Sequence, residues 1–282
     1  MKNILIPTDF SDNAGDALKY ALNLINKTRV NLHITHVVQL GNIPLEGHLD
    51  ASHIVSMEMK EANKSLEAIK AFGNLFFNKE KNGQINISTS VSAGLVATNI
   101  KMKAEEIGAD LIIMGTQGVN KNLAEKMLGT ISTQTISLAP CPVILVPSGY
   151  DFKAINNAVF ATKLNHSDPY ELWRATELIK PHVKTVRCIH IISKEEKVDK
   201  SKMEQFVKYM LEHSPVTQTI FNIEESDNIE KTLYEYTENY NAEMIIMHRS
   251  KRSFWKDLFG FRHTNKMASR MKTPLMILEN KS

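Results

Sequence analysis

The sequence contains one pattern twice, and this internal repeat constrains the fold more than any other feature. The segment from Asn3, NILIPTDFSDNAGDALKYALNLINKTRVNLHITHVV, and the segment from Asn157, NAVFATKLNHSDPYELWRATELIKPHVKTVRCIHII, both read as apolar strand, polar turn, helix and apolar strand. Each copy also closes with an apolar strand that follows a proline, PCPVILV in the first and TPLMILE in the second. Self-similarity on this scale indicates two copies of one structural unit.

The boundary between the copies falls in residues 148–156, SGYDFKAIN. We therefore predict one domain over residues 1–150 and a second over residues 151–282. A chain of 282 residues is long enough for two domains that each bury a core. A boundary this short favours two halves packed against each other as a pseudo-twofold pair.

Short apolar runs alternate with segments of helical periodicity in both copies. In the first copy the pattern predicts strands at 2–7, 30–38, 84–91, 110–115 and 142–147, and helices at 11–27, 51–81, 94–107 and 130–138. In the second copy it predicts strands at 157–161, 184–192, 216–222, 243–248 and 274–279, with a shorter second helix. Strict alternation is typical of an α/β fold, so we predict two tandem, doubly wound, Rossmann-like domains with five-stranded parallel sheets flanked by helices. Such sheets bind ligands outside the carboxyl ends of their strands, where the strand order reverses.

The composition is that of a globular protein, with 43% apolar and 23% charged residues. The opening MKNILIPTDFSD reaches Pro7 and Asp9 too early for a signal peptide, and no apolar run approaches the roughly 20 residues that cross a bilayer. A cytoplasmic location is the expectation. Cys141 and Cys188 lie in apolar runs and are expected in the core, and the histidine spacings indicate no metal site.

A glycine-containing stretch, MGTQGVNKNLAEKMLGT, follows the strand predicted at 110–115. Gly115 and Gly118 lack Cβ atoms, so the backbone there can turn sharply and approach a ligand closely. Gly129 and Thr130 stand where the next helix should begin, and its unpaired amides and positive dipole end would face the same space. The stretch predicts a phosphate site, although glycines can equally shape a plain strand-to-helix connection. The Walker spacing of a P-loop ATPase is absent.

These glycines, the opening ILIPTDFS and the strand LHITHVV together resemble the universal stress protein family, and the resemblance covers the whole chain as a tandem pair. It implies an adenine nucleotide alpha hydrolase-like fold and a stress-response sensor or regulator that binds ATP or AMP in its first domain. It also implies that Asp9 hydrogen-bonds the nucleoside, that the end of the second strand contacts adenine, and that the glycine loop surrounds ribose and phosphates. The cofactor-binding residues implied are Pro7, Thr8, Asp9, Val37, Val38, Met114, Gly115, Gly118, Gly129, Thr130, Ile131 and Ser132.

Two features qualify this site. Ten residues separate Gly118 from Gly129, one more than in the family pattern, so either a bulge absorbs the extra residue or the phosphates lose amide contacts. Asp9 also lies in TDFSDNAGDAL, where Asp and Ser side chains cap helices, and capping is compatible with a ligand contact.

The second copy departs from the motif at most of its positions. Lys163 stands at the place of Asp9, His248 at that of Gly115, Lys251 at that of Gly118 and Phe261 at that of Thr130, while only Gly260 remains of the loop glycines. A lysine cannot accept the hydrogen bonds that a carboxylate accepts, and side chains would fill the volume of the phosphates. We predict that this half does not bind ATP in the same manner and is structural or regulatory.

The segment 248–272 of the second copy carries eight Lys or Arg against one acidic residue, with four aromatic residues interleaved. Packing of the aromatic residues with solvated charges is the main interpretation. Contact with single-stranded nucleic acid or with an anionic membrane surface is the alternative.

No nucleophile elbow or paired carboxylates indicate catalysis. Two alternatives to a nucleotide sensor remain: a slow ATPase using Mg²⁺ near the phosphates, and an interaction scaffold that binds no nucleotide. A protein partner is expected but not identified, and the resemblance implies either a homodimer formed through the final strands or a pseudo-dimeric monomer.

Overall fold

The computed structural model describes residues 3–25, 30–39, 51–80, 85–116, 130–179, 183–195, 199–213, 218–249 and 272–279. The chain divides into two compact units, Met1–Phe152 and Lys153–Ser282. Among the described residues, none of the helices has both the length and the apolar character that crossing a bilayer requires.

The described part of the first unit alternates strands and helices. Its elements are β1 (Asn3–Pro7), α1 (Asp12–Leu24), β2 (Val30–Val38), α2 (Ala51–Glu80), β3 (Ile85–Ala93), α3 (Val96–Glu106), β4 (Leu111–Gly115), α4 (Thr130–Leu138) and β5 (Val143–Val146). The strands are parallel in the order β3-β2-β1-β4-β5, so the order reverses between β1 and β4. Ile4, Leu5 and Ile6 of β1 are fully buried, as expected where helices cover both faces of a parallel sheet.

The second unit repeats this topology. Its elements are β6 (Asn157–Ala161), α5 (Asp168–Ile179), β7 (Thr185–Ile192), α6 (Lys200–His213), β8 (Gln218–Glu225), α7 (Ile229–Asn239), β9 (Met244–His248) and β10 (Leu275–Leu278). Its strands are parallel in the order β8-β7-β6-β9-β10, and each occupies the same place as its counterpart in the order β3-β2-β1-β4-β5 of the first unit. The predicted α/β fold with two five-stranded parallel sheets is confirmed, and α6 has 14 residues where α2 has 30.

Some predicted boundaries are wrong for identifiable reasons. The helix predicted to reach residue 27 ends at Leu24, because Ile25 is already extended. The helix predicted from residue 94 begins at Val96, since Gly94 has a φ of 132° that a helix does not allow. The strands predicted to end at 91 and 222 continue to Ala93 and Glu225, because neighbouring strands supply backbone partners that far.

The repeat extends to hydrogen bonds and backbone angles. His36 of β2 donates from Nδ1 to the carbonyl of Thr8 at 2.8 Å, and His190 of β7 donates to Thr162 at 2.9 Å. Phe10 and Leu164, two residues after those carbonyls, both have positive φ, at 64° and 56°. The core predictions for the cysteines are also confirmed, since Cys141 and Cys188 are both buried.

Candidate functional site

The carboxyl ends of β1 and β4 meet where the strand order of the first unit reverses. Pro7 ends β1 and Gly115 ends β4. Helices α1 and α4 both begin at this edge, with Asp12 and Thr130 as their first residues. In an open α/β sheet this is the point where two crossovers leave in opposite directions and open a crevice for a ligand.

Asp9 takes part in the capping of α1. Its Oδ1 accepts hydrogen bonds from the Ser11 amide at 3.1 Å and from the Ser11 hydroxyl at 2.6 Å. Ser11 is the N-cap residue, because its Oγ accepts from the Ala14 amide at 3.2 Å. The capping interpretation of TDFSDNAGDAL is therefore confirmed, while the nucleoside contact of Asp9 stays a prediction.

Phe10 is a residue of this edge that the sequence analysis did not single out. Its ring stacks on His36, with 4.5 Å between the ring centroids, and the side chain is 38% exposed. The Phe10 amide donates to Thr8 Oγ1 at 3.1 Å. His36 is half-buried within β2. An aromatic residue directly after a strand-end turn was the available signal for Phe10.

Val37 and Val38, implied to contact adenine, belong mainly to the core. Their exposed fractions are 7% and 3%. The Val38 carbonyl accepts a hydrogen bond from the Gly94 amide at 2.9 Å, which brings the loop after β3 to the same edge. A base placed here would therefore meet their backbone more than their side chains. Met114, at the end of β4, is likewise buried.

Gly115 is required for close packing and not for a sharp turn. It does not have the positive φ of Gly94. A Cβ atom at Gly115 would lie 2.6 Å from Asn13 Cγ, closer than real Cβ contacts allow. Asn13 is buried and its Nδ2 donates to the Val146 carbonyl at 3.1 Å, so it joins α1 to the end of β5. The sequence analysis missed Asn13, since nothing in its neighbourhood marks it as a contact of residue 115.

Gly115→Ala is expected to destabilise the first unit by about 1–3 kcal/mol, the usual cost of an added methyl group in a packed site. Gly15→Ala is the matched control, because open space surrounds its Cβ position and alanine favours a helix. Hydrogen exchange of the β4 amides would report both changes. If Gly115→Ala leaves exchange unchanged, the contact with Asn13 does not require a glycine.

The start of α4 is fixed to the end of β4 by Ser132. Its hydroxyl reaches two carbonyl oxygens, that of Gly115 at 3.1 Å and that of Thr116 at 3.3 Å. Ser132 is 3% exposed, and because its proton is directed at carbonyls, its hydroxyl is not a donor for a phosphate. Thr130 is exposed and Ile131 is half-buried. The first amides of a helix lack acceptors within it, so backbone donors remain at this end. Gly118 and Gly129 lie outside the described residues, and so does the loop with the extra residue.

The equivalent edge of the second unit holds charged side chains. His248, at the place of Gly115, has its Nε2 3.2 Å from Asp168 Oδ1. Asp168 is fully buried, and its Oδ2 accepts from Thr162 Oγ1 at 2.6 Å and from the Lys163 amide at 3.2 Å. The Lys163 side chain is exposed. Gly260, Phe261, Lys251 and the rest of the basic aromatic segment between 250 and 271 lie outside the described residues.

Within the ranges that the structure describes, no three His, Cys, Asp or Glu side chains are grouped as metal ligands.

Residues 1–147 match the family model described as the universal stress protein family. A universal stress protein of Methanocaldococcus jannaschii is 32% identical over 148 residues, which cover 51% of this chain and 81% of that protein. One from Synechocystis is 33% identical over 147 residues, covering 52% of this chain and 85% of that protein.

One solved structure with a similar fold is a universal stress protein from Archaeoglobus fulgidus. Its TM-score is 0.72 at 17% identity, and the match covers 98% of each chain. A putative universal stress protein from Pseudomonas aeruginosa has a TM-score of 0.52 at 13% identity, covering 99% of this chain and 93% of that one. The similarity of fold therefore extends beyond the part that matches in sequence.

Proposed function

Because the chain belongs to the universal stress protein family, we propose that its first domain, residues 1–150, binds ATP or AMP at the carboxyl end of its sheet. The protein would act as a nucleotide-dependent sensor or regulator in a stress response. The second domain, residues 151–282, would not bind nucleotide in the same manner and would serve a structural or regulatory purpose.

The observation that carries the proposal is the attachment of α4 to β4 through Ser132. This hydrogen bond holds the amino end of a nine-residue helix beside the reversal point of the sheet. The dipole and unpaired amides of a helix start favour negative oxygens at that place. Phosphates would therefore be held by backbone groups near Thr130, Ile131 and Ser132, without a lysine.

The remaining parts of the nucleotide fit the same edge. Adenine would lie at the end of β2 against Val37 and Val38, near the exposed part of Phe10. Asp9 would hold the sugar while keeping its hydrogen bonds to Ser11. Pro7, Thr8, Met114, Gly115, Gly118 and Gly129 complete the proposed site.

A regulatory role follows if the nucleotide selects one conformation of the chain over another. A nucleotide that bound only one arrangement of the chain between β4 and α4 would shift the population toward it, and so change the surface offered to a protein partner. Turnover of ATP, with or without Mg²⁺, is not needed for this effect.

Calorimetry with ATP and with AMP tests the proposal, using Asp9→Asn and Ser11→Ala. Asp9→Asn keeps an acceptor for Ser11 but removes the charge, so we expect the affinity to fall at least tenfold, since a hydrogen bond to a charged group contributes about 1.5–3 kcal/mol. Ser11→Ala removes the N-cap, which costs about 1 kcal/mol of stability, and should leave the affinity unchanged.

Absence of heat with the wild-type chain would overturn the proposal in favour of a scaffold. Equal loss of affinity in both variants would show that Asp9 acts only through the turn. Release of ADP during the titration would identify a slow ATPase.

A further inference from the structure

A cluster of hydroxyl groups surrounds His33 on the α3-facing side of β2 and β3, away from the strand ends. His33 Nδ1 lies 2.7 Å from Ser88 Oγ, and Nε2 lies 2.9 Å from Ser90 Oγ. Ser90 Oγ is also 3.0 Å from Thr35 Oγ1, which in turn donates to the Ser90 carbonyl at 3.4 Å. Both nitrogens of one imidazole therefore contact serine hydroxyls.

The direction of these hydrogen bonds can be worked out from the acceptors. A neutral imidazole has one N–H donor and one acceptor nitrogen, so one of the two serines must donate its proton to the ring. A carbonyl only accepts, so Thr35 donates its single hydroxyl proton to the Ser90 carbonyl. Thr35 Oγ1 must then accept from the Ser90 hydroxyl. Ser90 Oγ then accepts from His33 Nε2–H, and Nδ1 is left to accept from Ser88.

The two distances agree with this direction. The separations of 2.9 Å at Nε2 and 2.7 Å at Nδ1 both lie in the usual range of hydrogen bonds, so they are compatible with the direction that the count of protons gives. Thr35 is 2% exposed, so its hydroxyl needs protein partners. The series of hydrogen bonds from Thr35 through Ser90 to His33 holds the imidazole ring in one orientation.

We propose that Ser88 is a nucleophilic serine that His33 activates as general base, forming an acyl-transfer site for small activated esters. The arrangement follows the general logic of an activated nucleophile, in which the base is oriented by a third group. Here the third group is the Ser90 hydroxyl. Ser88, Ser90 and His33 are each half-buried, so a small ester can reach Ser88 from solvent.

The surroundings of His33 keep the ring in the form that a base requires. Burial, together with the positive charge of Lys103, lowers the pKa of His33, while Glu106 acts in the opposite direction. Lys103 and Glu106 are paired across one turn of α3, with 2.6 Å between Nζ and Oε2. The imidazole is therefore mainly neutral at pH 7 and can accept a proton.

The chemical step is a simple acyl transfer. Ser88 Oγ attacks the carbonyl carbon of an aryl ester while its proton passes to His33 Nδ1. The carbon–oxygen bond to the aryl group then breaks, and the phenolate leaves with the bonding electrons and takes the proton back from Nδ1. The products are an ester on Ser88 and one phenol, and the ring returns to its neutral form.

Incubation of the full chain with p-nitrophenyl acetate tests the site, with release of p-nitrophenol and peptide mass mapping as readouts. We expect one acetyl group per chain, located on Ser88. The labelling rate should rise with pH and reach its plateau before pH 7. Ser88→Ala should abolish this labelling, and His33→Gln should slow it about 100-fold, the usual contribution of a general base.

Ser92→Ala is the matched control, because Ser92 lies four residues beyond Ser88 along β3 on the same face, opposite Val37 and not opposite His33. The Ser92→Ala variant should be acetylated on Ser88 at the wild-type rate. The proposal is overturned if the acetyl group maps to any other residue in the wild-type chain, or if labelling persists in Ser88→Ala. The mapping of the wild-type chain decides the question even where a variant does not fold.

Discussion

Replacing Arg174 with methionine is expected to lower the free energy of unfolding of the second unit by about 3–5 kcal/mol, the usual result of removing one partner from a buried ion pair. Arg174 of α5 contacts Glu171 of the same helix through Nη1 at 2.6 Å. Through Nη2 it contacts Glu279, the residue after β10, at 2.7 Å. Without the guanidinium, two buried carboxylates would face each other with no cation.

Burial makes this loss large. The side chains of Glu171 and Glu279 are 6% and 5% exposed, and that of Arg174 is 18% exposed. Burial alone would lower the pKa of Arg174, but the hydrogen bond and charge of Glu279 and the charge of Glu171 raise it above its ordinary value. The arginine is therefore charged at neutral pH.

Urea unfolding followed by tryptophan fluorescence measures the effect in the second unit alone, since both tryptophans, Trp173 and Trp255, lie in residues 151–282. Lys202→Met is the matched control. Lys202 pairs with Asp199 at 3.5 Å on the surface, where both side chains are 49% exposed, and such pairs contribute about 0–1 kcal/mol. A loss in Arg174→Met no larger than this would contradict the buried-pair account.

A variant that replaces all three charged residues, Glu171→Leu, Arg174→Met and Glu279→Leu, separates charge from packing. Exchange of a buried ion cluster for apolar residues is often neutral or stabilising, so this variant should recover most of the lost stability. Recovery would show that the single variant fails because of uncompensated charge.

The fold could be predicted from the sequence because its determinants are local and repeated. Apolar runs such as that of β1 (Asn3–Pro7) show where strands lie, and their alternation with helices allows few topologies. Strand ends were less accurate, because Ala93 and Glu225 are paired only through backbone groups of a neighbouring strand, which no side-chain pattern records.

The candidate site was predictable only where its residues lie close together in a motif. Asp9 and Ser11 belong to one turn, and their capping role followed from residue type. The contact of Asn13 with the position of Gly115 joins residues far apart in sequence, and so does the ion pair of Arg174 with Glu279. Such contacts depend on the three-dimensional approach of elements, and a single sequence gives no direct measure of it.

The packing at these strand ends differs between the two units in a way that a list of substitutions does not show. In the first unit the side chain at the start of α1, Asn13, lies against a residue without a Cβ. In the second unit the residue that ends β9, His248, carries the large side chain and extends it to Asp168 at the start of α5. Where the first unit has a glycine, the second unit has a polar cluster of His248, Asp168 and Thr162. The stability of the second unit is therefore expected to depend on Asp168.

Asp168→Ala is accordingly expected to cost the second unit about 3–5 kcal/mol at pH 7, since it leaves buried donors without an acceptor. Those donors are the Thr162 hydroxyl and the amides of Lys163 and Asn165, and the substitution also removes the contact of Oδ1 with the His248 ring. Burial by itself would raise the pKa of Asp168, but the close contact with His248 and the hydrogen bond from Thr162 outweigh it and lower the pKa below its ordinary value.

The sign of the pH dependence follows from that direction. A carboxyl group whose pKa is lower in the folded chain stabilises the fold above its unfolded pKa, and this contribution is lost as the pH falls through the folded pKa. The difference between wild type and Asp168→Ala, measured by tryptophan fluorescence in urea, should thus be full at pH 7 and shrink below about pH 4. Asp199→Ala is the matched control within the second unit, because Asp199 precedes α6 and accepts from the Lys202 amide at 3.2 Å but is exposed, and its loss should cost about 1 kcal/mol. Equal effects of the two substitutions at pH 7 would mean that the polar cluster at Asp168 does not hold the second unit together.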